Sequence, residues 1–295
     1  GLTYVPNIQF APFYVADALG YYKDAGLNVT LRHHNFGEDE FGALVSGHES
    51  LIFAGGDEVL QARAKGPDIV YVAQVFNQYP VSLIVPAGSS AQSVADLRGK
   101  TIGIPGQYGA TYIGLLSMLK SAGMKPTDVS MQSIGFTQVQ ALIGHKVDAV
   151  MGYSNNEPLI FEQQGFHVRS IAVGAGSPLV SNGIAAMRGE LQAHPDIVKA
   201  FIAATLKGVD YAIANPEKAV SLSKTYVPGL DDSAKAADAL SVLKATLPFW
   251  QHASGSKHGY SDPAKWQAMA TFMSGEGLVT GSVDGAKAID NSFLS

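Results

Sequence analysis

Ala25-Gly26-Leu27 and Gly47-His48 return as Ala122-Gly123-Met124 and Gly144-His145, 97 positions on in each case (26 to 123, 47 to 144). Around each copy runs the same succession: a short apolar run with proline (3–6; 101–105), an apolar-rich helix, a second run, a second helix and an apolar strand ending in glycine. A polar cluster follows each of those glycines, Asp57-Glu58 after Gly55 and Tyr153-Ser154-Asn155-Asn156-Glu157 after Gly152. Two α/β units that each present acids and amides beyond a strand end predict two lobes facing one another across a ligand-sized gap. A chance likeness of two ordinary βαβ units is the alternative, since glycine after a helix is also a routine C-cap.

Outward from the repeat, residues 3–6 are a buried-strand candidate, and 11–25 carry helical spacing in Phe13, Ala16, Leu19 and Tyr22. Leu27, Val29 and Leu31 alternate with Asn28, Thr30 and Arg32, the period of a strand with one buried face. A helix over 40–46, a strand over 51–54, a helix over 59–65 and a strand over 69–75 complete the first layer. Residues 81–85 and 183–187 are apolar, belong to neither copy and each follow one; both are read as crossings between lobes. Lobe 1 is then expected over 1–85 and 186–295, lobe 2 over 86–185. The tail (195–214, 216–226, 232–247, 262–275) reads as amphipathic helices bounded by prolines and glycines.

At 295 residues and 46% hydrophobic composition the chain is globular, long enough for two domains with real cores. A net charge of −5 without blocks of like charge supplies no basic stripe for nucleic acid. The absence of cysteine excludes disulfides, thiolate metal sites and cysteine nucleophiles within this chain. No apolar run approaches the ~18 to 20 residues that span a bilayer. The chain opens on Gly1 rather than Met, the start that trimming of a secretory signal or of a lipid-anchoring cysteine would leave and that a cloning scar gives equally.

Enzyme signatures fail. Gly103, Gly106 and Gly109 lie between a strand and a helix, but match neither G-x-G-x-x-G nor the phosphate loop ending in Lys-Ser/Thr. There is no G-x-S-x-G elbow, and the eight histidines show no H-E-x-x-H or comparable ligand spacing. His33 and His34 would point to opposite faces of a strand. No catalytic residue, metal site or cofactor is expected.

What remains suits a planar polar molecule. Tyr108, Tyr112 and Tyr153 fall at strand ends or at the helix after Gly106 in the second lobe; Phe10, Tyr14 and Tyr79 hold comparable places in the first. Each stacked ring contributes roughly 0.5 to 1.5 kcal/mol beyond area burial. Half of these rings are expected to be core, Tyr14 and Tyr112 first, because both sit in apolar helical patterns. Asn7, Gln9, Gln78, Asn155, Asn156 and Asn182 offer donors and acceptors, and Asp39, Asp57 and Glu157 accept from amino or ring N–H groups. An enclosed Glu157 must meet a ligand N–H or a protein donor. Asp57 can equally serve as the N-cap of the following helix. Residues Gly106 to Thr111 can present backbone N–H groups at a helix start.

Four stretches carry a family resemblance: Pro6-Asn7 followed by Ala11-Pro12; Gly20-Tyr21-Tyr22-Lys23-Asp24-Ala25-Gly26-Leu27; Asp96-Leu97-Arg98-Gly99-Lys100-Thr101-Ile102-Gly103; and Val147-Asp148-Ala149-Val150. From about Leu2 to Met187 the chain resembles the extracytoplasmic substrate-binding proteins of ABC importers, in the branch of thiamine-pyrimidine-synthesis and aliphatic-sulfonate-binding proteins. Phe136-Thr137-Gln138-Val139 and Gly152 to Pro158 look most like a subgroup proposed to bind riboflavin or thiamine pyrimidines. The resemblance implies a two-lobe periplasmic-binding-protein type II fold of two βαβ lobes joined by crossing strands. It further implies no reaction of its own, delivery of a small heterocycle to a membrane permease, and membrane contact only through that permease or a removed lipid anchor.

Carried over by position, Asn7 to Phe10, Asp39, Asp57, Tyr108 to Tyr112 and Tyr153 to Glu157 would line the cleft. Phe10 stands where pyrimidine binders often have histidine, and a larger flat ring such as an isoalloxazine would use a second stacking surface. The expectation is capture of riboflavin or a related vitamin heterocycle by hinged closure, with a thiamine-pathway aminopyrimidine as the alternative ligand. The related eukaryotic pyrimidine synthases carry a cysteine-rich iron-binding stretch that this chain lacks. A sulfonate would need cations that the polar tips do not contain. A sensor or adaptor would be indifferent to ligand and would expose a large apolar patch.

Overall fold

The computed structural model describes residues 1–3, 5–35, 38–174, 176–252 and 256–294. The chain folds as two units, one built from Gly1–Gln78 with Val180–Ser295 and the other from Tyr79–Leu179. The expected boundaries at 85/86 and 185/186 therefore each fall a strand too late, and the reason lies in the two runs read as crossings.

In the second unit, β3 (Val81–Pro86) is the fourth strand of a five-stranded sheet with β4 (Thr101–Ile104), β5 (Ser130–Ser133), β6 (Ala149–Tyr153) and β7 (Val168–Ala172), in the order β5-β4-β6-β3-β7. In the first unit, β8 (Asn182–Met187) is the centre of a three-stranded sheet, between β1 (Ile52–Gly55) and β2 (Ile69–Gln74). Each run follows one copy of the repeat and completes the other unit's sheet. Both are antiparallel to both their neighbours. A strand flanked on both edges and covered on both faces is largely apolar; Val81, Leu83, Ile84, Val85, Ala185 and Ala186 are fully buried.

The repeat survives in the pairing. In the second unit β4 is parallel to β5 and β6, joined through α5 (Gly109–Ser121) and α6 (Gln138–Ile143) as two βαβ crossovers, with α7 (Glu157–Gln163) following β6. In the first unit the same core shrinks to single-residue bridges, Leu2 pairing in parallel with His33 and with Phe53. Residues 3–6 and 27–33 thus form no strand among the described residues, and Tyr4 lies outside them. The expected alternation still holds: Leu27, Val29, Leu31 and His33 are half-buried while Asn28, Thr30 and Arg32 are exposed. Asn7 turns the chain into a 3-10 turn (Ile8–Phe10) five residues after Leu2, which leaves no length for a ladder.

The expected helix over 11–25 is two, α1 (Ala11–Ala18) and α2 (Tyr21–Asp24), parted by Gly20 at φ 74°. That left-handed conformation suits only glycine at low cost. α3 (Glu40–Val45) and α4 (Gly56–Ala64) complete the first half of this unit. Its tail supplies α8 (Arg188–Ala193), α9 (Pro195–Ala214), α10 (Pro216–Leu222), α11 (Ser233–Trp250) and α12 (Pro263–Gly275). Asp232 and Asp262 cap α11 and α12 by accepting first-turn N–H groups. The core beneath α1, α9 and α11 gathers Phe13, Tyr14, Phe53, Ile202, Val209 and Trp250. Each fully buried large side chain contributes about 1.5 to 3 kcal/mol. The second unit has its own core in Ile84, Leu142, Val150 and Phe161.

Candidate functional site

In the second unit the candidate residues gather where β4 and β6 end, side by side. Gly106 is buried after β4, and the Tyr108 ring folds back over it: a Cβ at 106 would stand 2.2 Å from that ring. Tyr108 is the N-cap of α5 with no side-chain capping bond, and it is 55% exposed. Thr111 is buried and Tyr112 half-buried in the first turn. Tyr79 is buried, and its hydroxyl donates to the Ala110 carbonyl at 3.3 Å, so this ring, expected in the first lobe, braces the start of α5 in the second unit.

After β6, Tyr153 is 39% exposed. Glu157, at the first position of α7, turns back so that its Oε2 accepts the Tyr153 N–H at 2.7 Å. Its carboxylate occupies the space beside Gly152, where a Cβ would approach it to 3.0 Å. Burial raises the Glu157 pKa, against the backbone and Asn156 hydrogen bonds that lower it. The donor this enclosed acid required is thus the protein's own backbone. Asn155 is buried and Asn156, half-buried, is the N-cap of α7. Ser82 on β3 pairs with Gly152 on β6, and its buried hydroxyl has no hydrogen-bond partner among the described residues. Sequence pattern offered no signal for Ser82, because an isolated serine in an apolar run reads as core.

In the first unit the candidates divide. Asn7 is half-buried and spent locally: its Oδ1 accepts the Gln9 N–H at 2.9 Å and its Nδ2 donates to the Val5 carbonyl at 3.1 Å. Gln9 is half-buried and Gln78 exposed. Phe10 is a core ring, edge-on to His33 and Phe53. Tyr14 is fully buried, stacked on Tyr226 with centroids 4.6 Å apart and hydrogen-bonded to His33 Nε2 at 2.8 Å. Burial pushes its hydroxyl well above the usual phenol range. Neither ring is available to stack on a ligand; the apolar helical pattern around Tyr14 pointed to core, whereas nothing local marked Phe10.

Asp39 is exposed and caps α3, its Oδ1 accepting the Gly42 N–H at 2.8 Å. Asp57 is not an N-cap, since α4 begins one residue earlier and Gly55 holds the cap position. It lies buried in the first turn beside Glu58, whose Oε2 accepts the Gly55 N–H at 2.8 Å. Asn182, half-buried at the start of β8, accepts the Val75 and Phe76 N–H groups through its carbonyl. Glu40 carried no such signal: it is 7% exposed, its Oε1 has no hydrogen-bond partner among the described residues, and burial raises its pKa to about 8. A cavity of about 490 Å³ in this unit, lined among others by Leu2, Phe13, Val29 and Glu49, contains none of the candidate residues.

Polar and aromatic side chains at the carboxyl ends of parallel strands, on a fold of two mixed units exchanging a strand, define a solute-binding protein of the periplasmic-binding-protein class. The expected fold class holds. The chain superposes on the periplasmic aliphatic sulphonate binding protein SsuA from Escherichia coli with a TM-score of 0.77, at 18% identity, covering 98% of this chain and 96% of that one. Residues 7–219 match the model of the NMT1/THI5 like family, and the chain belongs to that family.

It is 36% identical to the riboflavin-binding protein RibY of Chloroflexus aurantiacus, over 99% of this chain and 84% of that protein. It is 28% identical to a formylaminopyrimidine-binding protein of Halalkalibacterium halodurans, over 76% and 68%. Synthases occur among its relatives as well: a 4-amino-5-hydroxymethyl-2-methylpyrimidine phosphate synthase of Saccharomyces cerevisiae is 25% identical over 78% of this chain and 71% of the enzyme.

Proposed function

We propose that this protein captures riboflavin or a close flavin relative, and delivers it to the permease of an ABC importer outside the cytoplasm without transforming it. The observation that carries the reading is the pair of exposed tyrosines, Tyr108 and Tyr153, at neighbouring strand ends of the second unit. Two such rings supply about 1 to 3 kcal/mol beyond area burial. Micromolar affinity needs about 8 kcal/mol, so burial of the ligand's two faces and hydrogen bonds to its edge must contribute most. Tyr108 leaves the first-turn N–H groups of α5 without a side-chain cap, which suits a ring carbonyl or hydroxyl. The 36% identity to a riboflavin binder over nearly the whole chain supports the same ligand.

Titration with riboflavin, followed by quenching of flavin fluorescence, is expected to saturate at one ligand per chain with a Kd at or below the micromolar range. No quenching at micromolar protein removes this ligand. The similarity to a formylaminopyrimidine binder favours a single-ring aminopyrimidine as the second reading, and calorimetry with both compounds decides between them. For the synthase reading, pyridoxal phosphate is expected to leave the protein's absorbance unchanged; a new band would reopen it.

A further inference from the structure

At 68% exposure, Phe136 is the most accessible large apolar side chain among the described residues of the second unit. Its loop is pinned on both sides. Ile134 N–H donates to the Ile104 carbonyl at 2.9 Å and Gly135 N–H to the Pro105 carbonyl at 3.1 Å, while Thr137 Oγ1 donates to the Ile134 carbonyl at 2.7 Å. Gly135, at φ 60°, makes a turn that a side chain would strain, and Gln138 and Val139 beyond it are buried. An apolar ring held in solvent by so fixed a backbone is placed there, not left over by a loose loop.

The placement is specific. Phe136 follows β5, Tyr108 follows β4 and Tyr153 ends β6, three strands that lie side by side and parallel in the order β5-β4-β6. All three rings therefore belong to one edge of one sheet. Two strand spacings of about 4.8 Å spread those three strand ends over roughly 10 Å. That row is wider than a single six-membered ring and matches three fused rings.

We propose that Phe136 is a third aromatic contact of the ligand site and sets its preference for a fused-ring over a single-ring heterocycle. The proposal rests on the heterocycle-capture reading above. The test titrates the full-length wild type, Phe136→Ala and Phe136→Trp with riboflavin, with lumichrome (three fused rings without the ribityl chain) and with 4-amino-5-hydroxymethyl-2-methylpyrimidine. Phe136→Ala is expected to weaken riboflavin and lumichrome alike by about five- to tenfold, and the aminopyrimidine by less than about twofold. Phe136→Trp keeps flavin affinity, and the melting temperatures of the apo variants stay together because the side chain is exposed.

Unchanged flavin affinity in Phe136→Ala beside a wild type that binds flavin overturns the role of Phe136 alone; if cellular uptake is lost in that case, the ring serves a protein partner instead. Equal losses for all three ligands overturn the claim about ring extent. A wild type that binds no flavin overturns the flavin reading and this proposal together.

Discussion

Glu40 sits at the start of α3 with one carboxylate oxygen enclosed and unbonded, so its charge is the costly state. Burial is the first cause of its pKa of about 8, and the nearby Glu58 carboxylate adds to it. In the unfolded chain the same group titrates near 4.5. Between those values the folded protein holds a proton that the unfolded chain has lost, so this contribution to stability is full below about pH 4.5 and is lost as pH rises through about 8. Glu40→Gln should remove that slope and be more stable than wild type by a few kcal/mol, on the order of the linkage for such a shift, at pH 9. Urea midpoints across pH 5 to 9 measure it, and parallel curves for the two proteins would mean that Glu40 is ionised in the fold. Nothing in the order of residues announced this, since Glu40 reads as an ordinary first-turn acid. Asp39 and Glu157 were legible as polar groups, but not as the cap of α3 and the acceptor of the Tyr153 N–H that they are.

Among the elements, α9 shows how closely helices can approach where the sequence permits it. A Cβ on Gly208 would stand 2.2 Å from the Pro12 carbonyl oxygen of α1. Gly208→Ala gains up to about 1 kcal/mol of helix propensity, yet the clash should outweigh it and lower stability by about 1 to 3 kcal/mol; an unchanged or higher denaturation midpoint would show that the helices slide apart freely. The tail helices were readable from their prolines and from Asp232 and Asp262, because capping is a local interaction. The repeat was readable to within a residue: Gly47 takes a left-handed conformation at φ 77°, but at the second copy His145, not Gly144, is the residue with positive φ. The alternation over 27–33 was read correctly as one buried face. It does not become a ladder, because a ladder needs a partner of matching length and, among the described residues, only Leu2 is offered.

At the scale of the molecule, the exchange of β3 and β8 makes a prediction about fragments. Residues 79–179 carry all five strands of the second sheet and should fold alone, with a cooperative melt and mixed α/β circular dichroism. Residues 86–185, cut at the boundary expected from sequence, lack all but the last residue of β3, leave β6 and β7 unpaired on one edge and should aggregate. Equal behaviour of the two fragments would mean that β3 is dispensable. The chain's own order of residues determined the class of fold, the 97-residue repeat, the helical tail and the polar strand ends, because periodicity, turns and caps are short-range. Only the tertiary structure decided which sheet each crossing strand completes, that Phe10 is core while Tyr108, Phe136 and Tyr153 are exposed, and that Glu157 finds its donor at Tyr153. Burial and hydrogen-bond partners depend on residues distant in sequence, and an aromatic ring or a carboxylate carries no local mark of the neighbour it will meet.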